Sequence, residues 1–183
     1  MPPRGGNRIP LTGLLHIFFL MLLPLAAMAQ AVPAGGAGER VPLIEEVPYV
    51  TTPDSVTAAM LDLAGVKAGD HVIDLGSGDG RIVIAAARRG ATGLGVEIDA
   101  RLVEESVANA RRAGVDGRVR FVEQDLFQAD LSPATVVTMY LLPEVNLKLR
   151  PSLLALKPGT RIVSHDWDMG DWTPDRSLEL AVP

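Results

Sequence analysis

The sequence predicts a parallel α/β fold, one sheet with helices on both faces, on three observations. Strand-like and helix-like stretches alternate from about Val41 onward, as repeated βαβ units require. Three alternate glycines, Gly76, Gly78 and Gly80, join the first strand pattern to the helix pattern after it. The chain has 183 residues, 48% of them hydrophobic and only 4% aromatic. That suffices for one domain with an aliphatic core and is too short for two ordinary domains.

The elements follow in order. Thr52-Pro53-Asp54-Ser55 reads as a helix start, with Thr52 as N-cap, Pro53 in the first turn and Asp54 complementing the helix dipole. Val56, Met60, Leu63 and Ala64 give that helix its apolar face, and Gly65 ends it. His71 to Leu75 is a short buried strand after the turn at Lys67-Ala68-Gly69-Asp70. A helix is expected over about Asp79 to Arg89, with Gly90 past its end. Arg81, Arg88 and Arg89 are expected as solvated residues of that helix. Thr92 to Ile98 is the second strand, and Asp99 caps a third helix ending at Gly114. Leu102, Val103, Val107 and Ala110 recur there at helical spacing. Strands follow at Val119 to Glu123, Ala134 to Leu142 and Arg161 to Ser164, with a helical stretch from Glu144 to Leu156 that Pro151 should break. After the fifth strand only Leu178 to Val182 reads as a reduced sixth, so the C-terminal strands are expected to be truncated.

Charge and composition exclude several function classes. The formal net charge is −5, so a non-specific nucleic-acid binder, which needs a basic stripe, is disfavoured. With no cysteine in the sequence, disulfides, thiolate metal sites and cysteine nucleophiles are ruled out. No metal site is expected.

The first residues are of another kind. Arg4 and Arg8 precede an apolar run, Leu14 to Leu23, and then Ala27-Met28-Ala29. Residues 1–30 thus read first as a secretory signal peptide; the absence of charge between Arg8 and Glu39 supports the competing reading, an uncleaved membrane anchor. Both place the domain beyond the membrane; a start further downstream, for which Met28 is available, would leave it cytoplasmic. Residues 31–46 read as a linker rich in Pro, Gly and Ala, and residues 47–183 as the globular domain.

The chemistry is concentrated in Asp74-Leu75-Gly76-Ser77-Gly78-Asp79-Gly80. Alternate glycines let the backbone turn sharply beneath a ligand, and the following helix is expected to offer unpaired N–H groups to a carboxylate or phosphate. A dinucleotide fingerprint would need glycine at position 81, which is Arg81. An acid at the strand end followed by Gly-x-Gly-x-Gly instead resembles the first motif of S-adenosylmethionine (SAM) methyltransferases. Glu97, 23 residues after Asp74 near the end of the second strand, can accept two ribose hydroxyls. Asp125, just past the third strand, is placed for the adenine amino group or serves as a helix cap.

Four further segments occur in order: Val47-Pro48-Tyr49-Val50-Thr51-Thr52-Pro53, the run Asp74 to Ala87, Tyr140-Leu141-Leu142-Pro143, and Lys157-Pro158-Gly159-Thr160-Arg161-Ile162-Val163-Ser164-His165. Together they resemble the family containing the mitochondrial lysine methyltransferases of the ATP synthase c-ring protein and adenine nucleotide translocase, with archaeal and bacterial relatives. The resemblance spans about Val47 to Pro174. It implies a Rossmann-like class I methyltransferase sheet, SAM as methyl donor, a protein substrate with an accessible lysine, and a membrane-proximal location.

Tyr140 lies where such enzymes meet the acceptor amine, although Tyr-Leu-Leu-Pro departs from the Asn/Asp-Pro-Pro-Tyr of many amine methyltransferases. It can align the amine or fill the core. Tyr49 is a second candidate, over the cofactor or as a hydrophobic staple. His165 and Asp166 are read as substrate contacts, a base, or a structural turn, and Trp167 and Trp172 as packing. The cofactor-binding set is Asp74, Gly76, Ser77, Gly78, Gly80, Glu97 and Asp125. Competing readings are a SAM-binding protein without turnover, a small-molecule methyltransferase, and an NAD-dependent oxidoreductase.

Overall fold

The computed structural model describes residues 50–181. Tyr49, the apolar segment 1–30 and the linker 31–46 lie outside the described residues. The chain divides into units Met1–Glu45 and Glu46–Pro183, and the account below concerns the second.

The elements run α1 (Asp54–Leu63), β1 (His71–Leu75), α2 (Arg81–Arg88), β2 (Thr92–Glu97), α3 (Ala100–Arg112), β3 (Val119–Glu123), a 3-10 turn (Leu126–Gln128), β4 (Val136–Met139), α4 (Pro143–Leu154) and β5 (Arg161–Ser164). The five strands form one sheet in the order β3-β2-β1-β4-β5, and every pairing is parallel. The order reverses at β1, so the strand ends of β1, β2 and β4 border the crevice where ligands of open α/β sheets bind.

Alternation along β1 divides the core. Val72 packs with Val56 and Met60 of α1 and Ile82 and Ala86 of α2, while Ile73 and Leu75 pack with Leu149 and Leu153 of α4. Val83, Ile84 and Ala87 of α2 meet Ala110 of α3 and Val119 of β3. Helices therefore cover both faces, α1 to α3 on one and α4 on the other.

Several local expectations are corrected. The N-cap of α1 is Pro53, whose carbonyl accepts from Thr57 N–H, and Thr52 is freed for another role described below. α2 starts at Arg81 because Gly80, at φ 80°, can adopt the left-handed conformation that closes the preceding loop. A Cβ at Gly80 would lie 2.7 Å from the Phe121 ring. β4 is shorter than expected, because the chain leaves the ladder at Tyr140 to enter α4 through Pro143 at its first turn.

Pro151 does not break α4, which continues to Leu154. Pro151 and Leu147, whose carbonyl loses its partner at a proline four residues on, are both exposed, so water can satisfy that carbonyl. In α3, Ser106 and Ala110 are buried while Leu102, Val103 and Val107 are only half-buried. No strand forms over residues 177–181; after β5 the described chain makes only an isolated bridge between Met169 and Trp172. Among the described residues, no helix is long and apolar enough to cross a membrane.

Candidate active site at the carboxyl ends of the strands

The loop from Gly76 to Gly80 is shaped by its own hydrogen bonds. Gly76 and Ser77 N–H both donate to the Val96 carbonyl, at 2.9 and 3.0 Å, and Gly80 N–H donates to the Ser77 carbonyl at 2.9 Å. Gly78 N–H donates to Glu97 Oε2 at 2.9 Å, and Arg81 N–H to Asp79 Oδ1 at 3.2 Å. These loop N–H groups are spoken for within the chain, and so is the first N–H of α2, the helix expected to offer unpaired donors. A phosphate-bearing ligand needs free loop donors, and these five are not available to one. Gly76, at φ 72°, takes a backbone conformation that L side chains rarely adopt, and an added Cβ would lie 2.9 Å from Leu141 Cδ2. That contact places the end of β4 directly against the glycine loop.

Asp74 lies beneath the loop, buried, and accepts a 2.6 Å hydrogen bond from Thr138 Oγ1. Burial pushes its pKa up to about 7; the Thr138 hydroxyl opposes this, and the charges of Glu97 and Asp79 add to the rise. No cation pairs with it among the described residues. Ser77 Oγ is likewise buried without a partner. Glu97, at the end of β2, turns toward the loop: Oε2 holds Gly78 N–H, and Oε1 accepts from Ile98 and Asp99 N–H at 2.8 and 3.1 Å. Each of its oxygens keeps a further lone pair for a ligand hydroxyl. Asp125 is exposed and caps the 3-10 turn by accepting from Phe127 N–H at 2.9 Å. Gln124 N–H bonds the Glu97 carbonyl at 2.8 Å, which keeps Asp125 beside the end of β2.

Two exposed apolar side chains flank these acids, Ile98 at 70% and Phe127 at 45% exposure. Sequence pattern did not single them out, since one isolated apolar residue after a strand carries no periodicity. A buried carboxylate without a cation, an orphaned hydroxyl, two further acids with spare acceptor capacity and an apolar rim fit a cationic nucleoside without phosphate. SAM has that chemistry.

A second group stands at the ends of β4 and β5. The Tyr140 and His165 rings meet in a tilted arrangement, centroids 4.0 Å apart and planes at 41°. His165 Nε2 lies 3.5 Å from Asp166 Oδ1, and its Nδ1 lies 3.5 Å from Thr52 Oγ1. Burial, then the Asp166 carboxylate, raises the Tyr140 pKa above its ordinary value. The phenol is thereby kept protonated, able to donate a hydrogen bond and not suited to act as a base.

Arg81, expected as a solvated helix residue, is a tie instead. Its guanidinium donates to the Thr52 carbonyl at 2.8 Å and pairs with Asp79 at 2.6 Å. The segment before α1 is thus fixed to the glycine loop on one side and to His165 on the other. Arg89 also forms contacts, to Asp62 and the Ala58 carbonyl. A separate groove of about 480 Å³ between α1, α2 and α3 is lined by Asp54, Asp79, Arg81, Arg88 and Arg112; it reaches neither Glu97 nor Tyr140 and is not the cofactor site. Among the described residues no cluster of His, Asp and Glu is suited to a metal ion.

Comparison with known proteins decides the family. The ANTKMT methyltransferase domain matches residues 74–176. The chain belongs to this methyltransferase family. A protein-lysine N-methyltransferase of Saccharolobus islandicus is 45% identical over 140 residues, 75% of this chain and 87% of that protein. The adenine nucleotide translocase lysine N-methyltransferase of Mus musculus is 36% identical over 137 residues, 74% of this chain and 59% of that protein. The chain thus spans most of the archaeal relative and little more than half of the mouse one. A crystal structure described as an RNA methyltransferase from Salinibacter ruber, in complex with S-adenosyl-L-homocysteine, superposes with a TM-score of 0.70 at 59% identity, covering 72% of this chain and 87% of that one. The fold of this ANTKMT-type domain is accordingly the class I SAM methyltransferase fold, and its methyl donor is SAM.

Proposed function

We propose that this ANTKMT-family domain transfers a methyl group from SAM to the side-chain amine of a protein lysine. The observation that carries the reading is the juxtaposition of the glycine loop with the Tyr140 and His165 rings, bridged by the contact of Leu141 on Gly76. The cofactor set of this reading is Asp74, Gly76, Ser77, Gly78, Gly80, Glu97 and Asp125. Asp74 offers negative charge below the loop, Glu97 receives the sugar hydroxyls, and Asp125 receives the adenine amino group with its free oxygen. SAM supplies a methyl group on a positively charged sulfur, already a good leaving group, so the chain's task is orientation and exclusion of water. The acceptor amine must be deprotonated. Tyr140 aligns it, and Tyr49, outside the described residues, stays a candidate for the same task on its place in the sequence three residues before Thr52. The names of the relatives support a lysine acceptor, as does the aromatic cluster at the strand end where an amine would arrive.

Radiolabelled SAM incubated with the chain and with soluble and membrane protein fractions tests this, with total RNA as a parallel arm because of the name of the Salinibacter ruber protein. Label is expected in methyl-lysine after acid hydrolysis, and at background for Glu97→Ala. Label in RNA alone, or nowhere above that control, contradicts the reading.

The N-terminal segment is proposed to export or anchor the domain, supported by Arg4, Arg8 and the apolar run Leu14 to Leu23. A reporter fused at the C-terminus distinguishes this from a cytoplasmic domain, which would keep a reporter requiring export inactive.

A further inference from the structure

Asp166 is, among the described residues, the non-glycine residue with positive φ, at 60°. It is the centre of a three-residue turn closed by Trp167 N–H donating to the His165 carbonyl at 2.7 Å, the geometry of the rare and strained γ-turn. An L-residue with a side chain costs free energy in this conformation, and the surroundings must hold it there. They do so from three directions. His165 N–H stays on the β4 ladder through the Met139 carbonyl at 2.9 Å. Ser164 Oγ donates to the Trp167 carbonyl at 2.6 Å. Asn146 of α4, wholly buried, donates to the Trp167 and Asp168 carbonyls at 3.3 and 3.2 Å. Glycine would fill the turn without strain, so the aspartate is kept against a conformational cost.

The result of that cost is the position of one carboxylate. It faces the Tyr140 hydroxyl and lies 3.5 Å from His165 Nε2, while its side chain remains 56% exposed and that of His165 only 14%. An accessible anion beside the edge of a tilted pair of aromatic rings has the chemistry to receive a primary ammonium.

We propose that the Asp166 carboxylate, held against Tyr140 and His165 by its strained turn, is the binding site for the acceptor's primary ammonium group and hands the arriving proton to His165. The proposal deepens the methyltransferase reading and rests on it for the later transfer step. The ammonium pairs with Asp166, and an N–H bond breaks as its proton moves to the free lone pair of His165 Nε2. The amine lone pair so exposed forms the new N–C bond while the S–C bond of the donor breaks, its electron pair remaining on sulfur. The product is a methylammonium, and the proton on His165 leaves to water. The step requires the tautomer with the proton on Nδ1, and Thr52 Oγ1, 3.5 Å from Nδ1, can accept from that N–H.

The test uses the full chain labelled on histidine, of which it has three, and Nα-acetyl-lysine-methylamide as the probe. The His165 ring resonance is expected to shift on titration with this probe and not with its Nε-acetylated form, which has no charge. Asp166→Gly, which relieves the turn, and Asp166→Asn, which tolerates it, should each weaken the probe at least tenfold, with SAM affinity within twofold of the parent and Asp166→Gly melting no lower. With a lysine acceptor, both variants should show a raised KM and a reduced kcat. A His165 resonance indifferent to the probe, or an Asp166→Gly chain that binds it as the parent does, overturns the proposal. Absence of methyl transfer by a parent chain whose His165 responds would instead sink the methyltransferase reading and leave this site standing.

Discussion

β1 has a buried aspartate at each end, and the two are treated in opposite ways. Asp70, just before the strand, receives the Lys67 N–H, the Thr135 hydroxyl and the Arg161 guanidinium, and Arg161 also donates to the Ala64 carbonyl at 2.8 Å. Burial works to raise its pKa, but those three partners outweigh it and hold it below the ordinary carboxylate value. Asp74, four residues on, has Thr138 and no cation, and its pKa rises to about 7. One end of the strand is satisfied within the chain; the other carries an unmet electrostatic demand. Such demands are found where a ligand supplies what the fold leaves out. The contrast separates the internally satisfied pole of the sheet from the one proposed to hold the methyl donor.

The two ends should respond oppositely to change. Arg161→Leu leaves Asp70 buried and uncompensated; since Arg161 is about a third exposed, the loss should be about 2–3 kcal/mol, below that for fully buried pairs. Urea unfolding measures it, and SAM affinity should stay within twofold. Asp74→Asn should do the reverse, stabilising the ligand-free chain by about 1–2 kcal/mol at pH 8 while abolishing measurable SAM binding. The folded-state pKa of Asp74 lies above its unfolded value of 3.8, so its stabilising contribution is complete below that value and is lost as pH rises through about 7. The gain from Asp74→Asn should therefore fade as the medium is acidified toward pH 4. Asp70 has the lowered value, so its contribution is present above 3.8 and is lost as pH falls through the folded pKa.

Smaller effects sharpen the same contrast. Because a bound ammonium or sulfonium favours ionised Asp74, SAM affinity should weaken by up to about tenfold per pH unit below pH 7, read by calorimetry between pH 8 and 6. Asp125→Ala, at the exposed rim, should weaken SAM by about fivefold, roughly 1 kcal/mol.

How far the sequence disclosed this molecule depended on the range of the interaction. β3 and β5 were legible to the residue because each is a short segment with β-branched or aromatic residues at its centre, set off by turn formers before it, and the Asp74 to Gly80 run announced its sharp turn by glycine spacing. Asp99 was legible as a cap, which is a contact two residues long, with Arg101 N–H at 2.8 Å. Contacts between distant parts were not. Thr52 looked like a cap because nothing nearby shows that its hydroxyl meets His165, 113 residues on. Arg81 looked solvated because its acceptor, the Thr52 carbonyl, lies 29 residues back. Pro151 looked like a break because sequence does not reveal that it faces water. In the site, identities were readable and occupancies were not: Glu97 toward the loop could be expected, but the internal use of the loop N–H groups could not.

The most direct test is a calorimetric titration of SAM into the parent chain and into Glu97→Ala at pH 8. Saturable one-site binding by the parent, weakened at least about 100-fold (roughly 2.7 kcal/mol) in the variant, is the predicted result. A parent chain that gives no heat with SAM, or a Glu97→Ala chain that binds it undiminished, would contradict the assignment of the glycine loop and the β2 carboxylate as the donor site.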